Sequence, residues 1–390
     1  MGTVSQEANA VRCQPFGDRE HVTVGVDALA AAEVPAGIGR VTRELLHALQ
    51  GLVGEGSAVR FRLYARERYD GLPDHPQFEW RLLKGVRAGV RMRIGLLANS
   101  ECDLFLSTGS YIPVIFTSVP SVLVVHDTVT FQYPRLAEPE ALITERLFAP
   151  RALRNVTRVV CVSNATASSV QQLFPFAAGK TLVAHLGPLR PPSTPLTAEE
   201  QRRLPAPGFV LSVGTREPRK NLVRLLEAYA ALDRSLVERH PLVVVGPPGW
   251  RQGRIEKALA GTGDRVIELG RVSDRMLAEL YRRCAVFCYP SLAEGFGLPV
   301  LEAMSYGAAV LTSNTTALPE VGGDAVLYVD PYSTAQIKEQ LGRLLADERL
   351  RVELGERARR RASLFSWERF ASTVLKALGE ALAGSPSSRK

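Results

Sequence analysis

Short apolar runs recur along the whole chain, each closed by a glycine or polar turn and followed by residues of helical periodicity. One series reads as strands at Val22–Asp27, Arg60–Tyr64, Asp103–Ser107, Ser121–His126, Arg158–Ser163 and Thr181–His185. A second reads as strands at Phe209–Gly214, Leu242–Val245, Arg265–Leu269, Ala285–Tyr289, Ala309–Thr312 and Ala325–Val329. Runs that stay apolar rather than alternating are buried on both faces, and alternation with helices predicts parallel sheets covered on each side. The fold class expected is α/β. Between the two series lies a stretch rich in proline, Pro188 to Pro207. A chain of 390 residues is long for one hydrophobic core, so two domains are expected. The bounds drawn are a flexible N-terminus at 1–20, a first domain at 21–190, a linker at 191–207, a second domain at 208–365, a terminal helix at 366–383 and a disordered tail at 384–390.

Hydrophobic residues make up 46% and charged residues 23%, ordinary for a soluble globular protein. No apolar run reaches the length of a membrane span. The N-terminus is polar and lacks a signal peptide's apolar core, so a cytoplasmic location is expected. Five scattered cysteines, Cys13, Cys102, Cys161, Cys284 and Cys288, lack the partners of a metal site, and no metal is expected. The net charge of +8 fits nucleic acid, an anionic membrane or anionic substrates. No nucleic-acid-binding signature accompanies it, and nucleic acid is ranked last. Trp80 to Leu97 carries Arg81, Lys84, Arg87, Arg91 and Arg93 among apolar residues. Such a stretch is either a solvated helix face or a surface for peripheral contact with an anionic membrane.

The densest signal is Ser291 to Gly307. A buried strand ends at Tyr289, Gly295 and Gly297 allow a tight path, Pro299 suits a helix start and Gly307 its end. Strand, glycine loop and helix together present free amides and a positive dipole, which favour an anion such as phosphate near Gly295, Phe296, Gly297 and Leu298. Glu294 sits on the loop and Glu302 about one turn into the helix, and helical side chains lean toward the N-terminus. Ionised carboxylates only accept hydrogen bonds and suit hydroxyls. An anion seat flanked by two hydroxyl acceptors suits a phosphorylated, polyhydroxy ligand. The plainer alternative makes Glu294 a solvated loop acid and Glu302 a capping acid.

Other strand ends carry chemistry too. After Gly214 come Arg216, Arg219 and Lys220, three cations just before a helix. The geometry suits a diphosphate, although a solvated basic turn has the same composition. Gly37 and Gly39 open a helix in Gly37-Ile-Gly-Arg40 without the third glycine of a dinucleotide fingerprint, and serve a structural turn or a ligand loop equally. His126 closes a strand at the end where open α/β sheets bind ligands. It reads as a satisfied core histidine or as a site residue.

Glu294 and Glu302, with seven residues between them around Gly-Phe-Gly-Leu-Pro, resemble the signature of the family 4 retaining glycosyltransferases. The resemblance runs from about Val22 to Phe370. It implies the GT-B architecture: two Rossmann-like domains facing a cleft, with a C-terminal helix crossing back to the first domain. By resemblance Lys220 matches the family lysine, and Arg219 matches a subgroup with arginine beside it. Thr215 stands where many members have arginine, and Arg216 is the third cation of the set. His126 would approach the donor sugar, and Gly37 and Gly39 the donor diphosphate and acceptor. The Gly-Ile-Gly-Arg loop is similar to mannosyltransferase-like members.

The activity this implies moves a sugar from a nucleoside diphosphate to an acceptor hydroxyl, with the anomeric configuration retained and no divalent cation required. Glu294, His126 and Lys220 would be the catalytic residues, with Glu294 holding donor-sugar hydroxyls and Glu302 the ribose. GDP-mannose is the favoured donor, by analogy. The acceptor would be a glycan, a glycolipid or a natural product. No cofactor is expected beyond the nucleotide sugar itself. Rival readings are a nucleotide-sugar epimerase, which needs no acceptor, and a nucleotide-sugar-binding module without turnover.

Overall fold

The computed structural model describes Phe16 and residues 21–34, 37–54, 57–190 and 193–384. The expected flexible N-terminus, Phe16 apart, and the tail beyond Gly384 lie outside the described residues. The chain forms two compact units: residues 1–131, 139–186 and 366–390, and residues 132–138 and 187–365.

Unit 1 holds a parallel sheet of seven strands: β1 Val22–Asp27, β2 Val59–Ala65, β3 Phe78–Leu82, β4 Leu104–Ser107, β5 Ser121–Val125, β6 Arg158–Cys161 and β7 Thr181–Val183. Their order is β3-β2-β1-β4-β5-β6-β7. Val24, Val26, Leu104, Phe105 and Leu106 are fully buried, as expected of central strands covered on both faces. The Trp367–Ala383 helix belongs to this unit and packs on the Ile38–Leu52 helix and the sheet. Its core face is Trp367, Phe370, Val374, Leu378 and Leu382, and Arg158 on β6 pairs with Glu380 at 3.0 Å.

Unit 2 holds six parallel strands: β8 Val210–Val213, β9 Leu242–Val245, β10 Val266–Gly270, β11 Val286–Tyr289, β12 Ala309–Ser313 and β13 Leu327–Val329. Their order, β10-β9-β8-β11-β12-β13, is the doubly wound Rossmann order. The core beneath is aliphatic, with Val210, Leu225, Val286, Leu311 and Leu341 fully buried. Each such side chain contributes about 1.5–3 kcal/mol.

Two expectations change. The basic stretch from Trp80 to Leu97 is not one helical face. Its first residues extend β3 along the sheet edge beside β2, and the helix begins only at Arg87. Its charges are shared out: Arg87 pairs with Glu33 at 3.0 Å, Arg81 with Glu101 at 3.4 Å, and Arg93 donates to the Lys84 carbonyl. The expected linker at 191–207 contains a helix, Ala198–Arg203, which belongs to unit 2. Thr197 and Glu200 form a full capping box at its start, and Glu200 pairs with Arg275 at 2.7 Å. The Thr-x-x-Glu signal was present among the prolines.

Candidate active site

In a doubly wound sheet the strand order reverses at one point, and ligands bind beyond the strand C-termini there. In unit 2 that point lies between β8 and β11, which pair directly. The loop after β8 carries Arg216, Arg219 and Lys220, and the loop after β11 carries Glu294. Sequence segments some seventy residues apart are therefore brought together by the register of two neighbouring strands.

Each loop is fixed by its backbone. Gly214 adopts φ +150°, and the aliphatic stem of Lys220 lies over it. Pro218–Lys220 forms one 3₁₀ turn, and Asn221 follows in the left-handed region at φ +59°. Asparagine is among the few side chains that tolerate this. Its amide nitrogen donates to the Pro290 carbonyl at 2.9 Å and the Pro331 carbonyl at 2.7 Å, tying the two loops together. The Leu292 amide donates to the Arg219 carbonyl at 2.8 Å.

Glu294 is the hub. Oε1 accepts from Lys220 Nζ at 2.7 Å, the Tyr289 hydroxyl at 2.8 Å and the Ser291 hydroxyl at 2.6 Å. Oε2 accepts from Arg219 at 2.7 Å. Arg219 also pairs with Glu217 at 2.7 Å. Two acids and two cations thus form a neutral, largely buried cluster. Burial alone would raise the Glu294 pKa, but Arg219, Lys220 and the hydrogen bonds from Lys220 and Ser291 outweigh it and hold the group at about 2. Burial and the neighbouring Arg219 lower the pKa of Lys220. Burial raises that of Glu217.

Glu294 thus positions the cations and hydroxyls around it, with three donors on Oε1 and Arg219 on Oε2. Lys220 has three donors, of which Tyr289 and Glu294 take two, leaving one for a ligand.

Gly297 caps the Leu298–Ser305 helix at φ +104°. A Cβ there would meet Leu318 at 2.7 Å. Phe296 is buried edge-on against Phe365, so its ring is an anchor beneath the loop. Glu302 is 3% exposed, and its Oε2 accepts from the Tyr281 hydroxyl at 2.9 Å. The Asp274–Arg283 helix brings Tyr281 against that oxygen. Arg216 is also turned elsewhere: it pairs with Glu268 on β10, and its amide donates to the Pro247 carbonyl.

In unit 1 the C-terminal ends of β1, β4 and β5 bring together Gly37, Gly39, Thr108, Gly109 and His126. Gly37 starts the Ile38–Leu52 helix at φ +55° with open space around it. Gly39 is required by close approach, since a Cβ would meet the Val34 carbonyl oxygen at 1.6 Å. His126 Nε2 lies 2.7 Å from the Thr108 carbonyl, which only accepts, so that nitrogen carries the proton. Burial lowers its pKa, which keeps the ring neutral near pH 7.

Residues 197–361 match the family described as glycosyl transferases group 1. The O-antigen chain mannosyltransferase B of Escherichia coli is 33% identical over 264 residues, spanning 66% of this chain and 69% of that protein. The chain belongs to the group 1 glycosyltransferases. The serotype-specific mannosyltransferase WbdA of Escherichia coli is 38% identical over 172 residues, 43% of this chain but only 21% of WbdA. Sucrose-phosphate synthase from Thermosynechococcus elongatus superposes with a TM-score of 0.74 at 20% identity, covering 91% of this chain and 97% of that one. The group 1 transferase is therefore a hexosyltransferase built on the GT-B fold, from two Rossmann-like domains with parallel sheets.

Sequence reasoning missed four residues that this transferase uses to hold its cation cluster: Glu217, Tyr289, Ser291 and Thr316, whose hydroxyl accepts from the Glu294 amide at 3.0 Å. Ser291 lies within the motif and could have been found by its position before Glu294. Tyr289 reads as a strand's last apolar residue, and Thr316 arrives from a different loop. Among the described residues, no helix is long and apolar enough to cross a membrane.

Proposed function

We propose that this glycosyltransferase takes its sugar from a nucleoside diphosphate, with GDP-mannose as donor, and passes it to a hydroxyl of a growing or lipid-linked glycan with retained configuration. One observation carries the reading: Lys220 and Arg219 are locked at 2.7 Å on Glu294, beside the helix that opens at Gly297. The named relatives support mannose and a glycan acceptor, since both are mannosyltransferases and one acts on an O-antigen chain.

In the reaction the bond from the anomeric carbon to the diphosphate oxygen breaks, and one from that carbon to the acceptor oxygen forms. The acceptor proton passes to the departing phosphate. Negative charge grows on the diphosphate, where preorganised cations stabilise it most. Lys220 contributes its remaining donor there, and Arg219 its fixed positive charge. Glu294 acts as the positioning residue for both. The amides of Gly295, Phe296, Gly297 and Leu298 would receive the phosphate oxygens, and Glu302 would support the helix that presents them. Because two cations serve the leaving group, no divalent ion is required.

Release of nucleoside diphosphate from a panel of nucleotide sugars tests this. GDP-mannose should raise the melting temperature and be consumed faster when a mannose-terminated glycan is added, with EDTA leaving the rate unchanged. Preference for another donor would refute the GDP-mannose assignment. Consumption that yields an isomer without acceptor would refute transfer, and loss of rate in EDTA restored by added metal would refute the metal-free mechanism.

A further inference from the structure

Unit 2 contains a cavity of about 940 Å³ whose walls come from three distant parts of the sequence: the 132–136 segment, the 218–227 region and the 251–255 region, closed by Leu292 and Tyr332. Four arginines line it, Arg135, Arg224, Arg251 and Arg254, against a single carboxylate, Glu227. None of the four is ion-paired with a carboxylate among the described residues. Arg224 donates to the Asn221 side-chain oxygen at 2.9 Å and lies over the Tyr332 ring at 5.4 Å. Arg251 donates to the Arg135 carbonyl at 2.7 Å. Arg251 also holds a left-handed backbone, φ +52°, rare for a long side chain. Such local strain persists where the surroundings impose it and clusters at functional sites.

Like charges facing one cavity repel, and a cleft lined by one sign of charge concentrates its counter-ion. Planar guanidiniums match phosphate oxygens in paired hydrogen bonds. Beside them lies an apolar floor of Leu136, Leu222, Ile255 and Leu292, and the volume is that of a small-molecule site rather than a single anion. We propose that this pocket binds the phosphate of a phosphorylated saccharide, as a second anion site served by side chains other than Arg219 and Lys220. Its role as an acceptor seat rests on the transferase reading. Its affinity for phosphate does not.

The test uses the full chain. Mannose 6-phosphate is titrated by calorimetry into the unaltered protein, the Arg135→Gln/Arg254→Gln variant and Lys220→Ala. Both substituted arginines are exposed, so the double variant should melt with the parent. If it does not fold, Arg254→Glu alone takes its place. Affinity should fall at least about tenfold in the arginine variant, the loss expected for charge-assisted contacts, and persist in Lys220→Ala. A parallel arm floats phosphatidylcholine vesicles with and without phosphatidic acid. Flotation that needs phosphatidic acid, without binding of mannose 6-phosphate, would overturn the saccharide assignment in favour of a lipid phosphate; binding of the soluble probe alone supports it. The proposal is overturned if neither probe binds, if the arginine variant binds as the parent does, or if Lys220→Ala removes binding. That last result would locate the phosphate at the donor loop. Loss of nucleotide-sugar binding in Lys220→Ala with mannose 6-phosphate retained separates this inference from the donor assignment.

Discussion

At Glu294 one carboxylate holds two cations and two hydroxyls in place, so its removal is a structural as well as a chemical change. Taking away one partner of a buried ion pair leaves charge uncompensated and costs about 3–5 kcal/mol. Glu294→Gln should therefore destabilise the protein on that order near neutrality. Its folded pKa of about 2 lies below the ordinary 4.5, so its stabilising contribution is complete above about pH 4.5 and disappears as pH falls through about 2. Urea denaturation near neutrality and at about pH 3 should show the gap between parent and Glu294→Gln narrowing in acid. An equal gap at both would mean that the carboxylate is not held low by Arg219 and Lys220.

The element that presents the amides, the Leu298–Ser305 helix, depends on its first corner. Gly297 combines a left-handed φ of +104° with a Leu318 side chain where a Cβ would sit. Backbone strain and overpacking each cost about 1–3 kcal/mol. Gly297→Ala should lower stability by about 2 kcal/mol or more and weaken nucleotide-sugar binding with it. Gly253, also at a helix start, has open space around its Cβ and no positive φ. Gly253→Ala should change stability by less than about 1 kcal/mol, since it also restricts the unfolded chain. Chemical denaturation midpoints of the pair give the comparison, and equal effects would remove the corner from the account.

Across the whole molecule, the last helix belongs with the first half of the chain. Phe370 is fully buried in unit 1 although more than two hundred residues separate it from β6. Phe370→Ala should cost about 3–5 kcal/mol, the usual range for a buried aromatic. Hydrogen exchange should show protection falling in β4 to β6 while β8 to β12 keep theirs. Loss confined to unit 2 would contradict the packing seen here.

What the amino-acid order determined alone was local. Apolar runs closed by glycine announced nearly every central strand, because burial on both faces leaves a continuous signal. The loop from Glu294 to Glu302 and the cations at Arg219 and Lys220 were legible, because backbone chemistry dictates where glycine and proline stand. The edge strand at Phe78–Leu82 was not, since an exposed, charge-bearing strand resembles a basic helix in composition. Nor could the chain's order show that Glu294 is engaged by Lys220, that Glu302 meets Tyr281, or that Arg216 turns to Glu268. Those pairings join residues far apart in sequence. Strand order and helix packing decide them, and only the tertiary structure fixes which charges face a ligand and which neutralise one another.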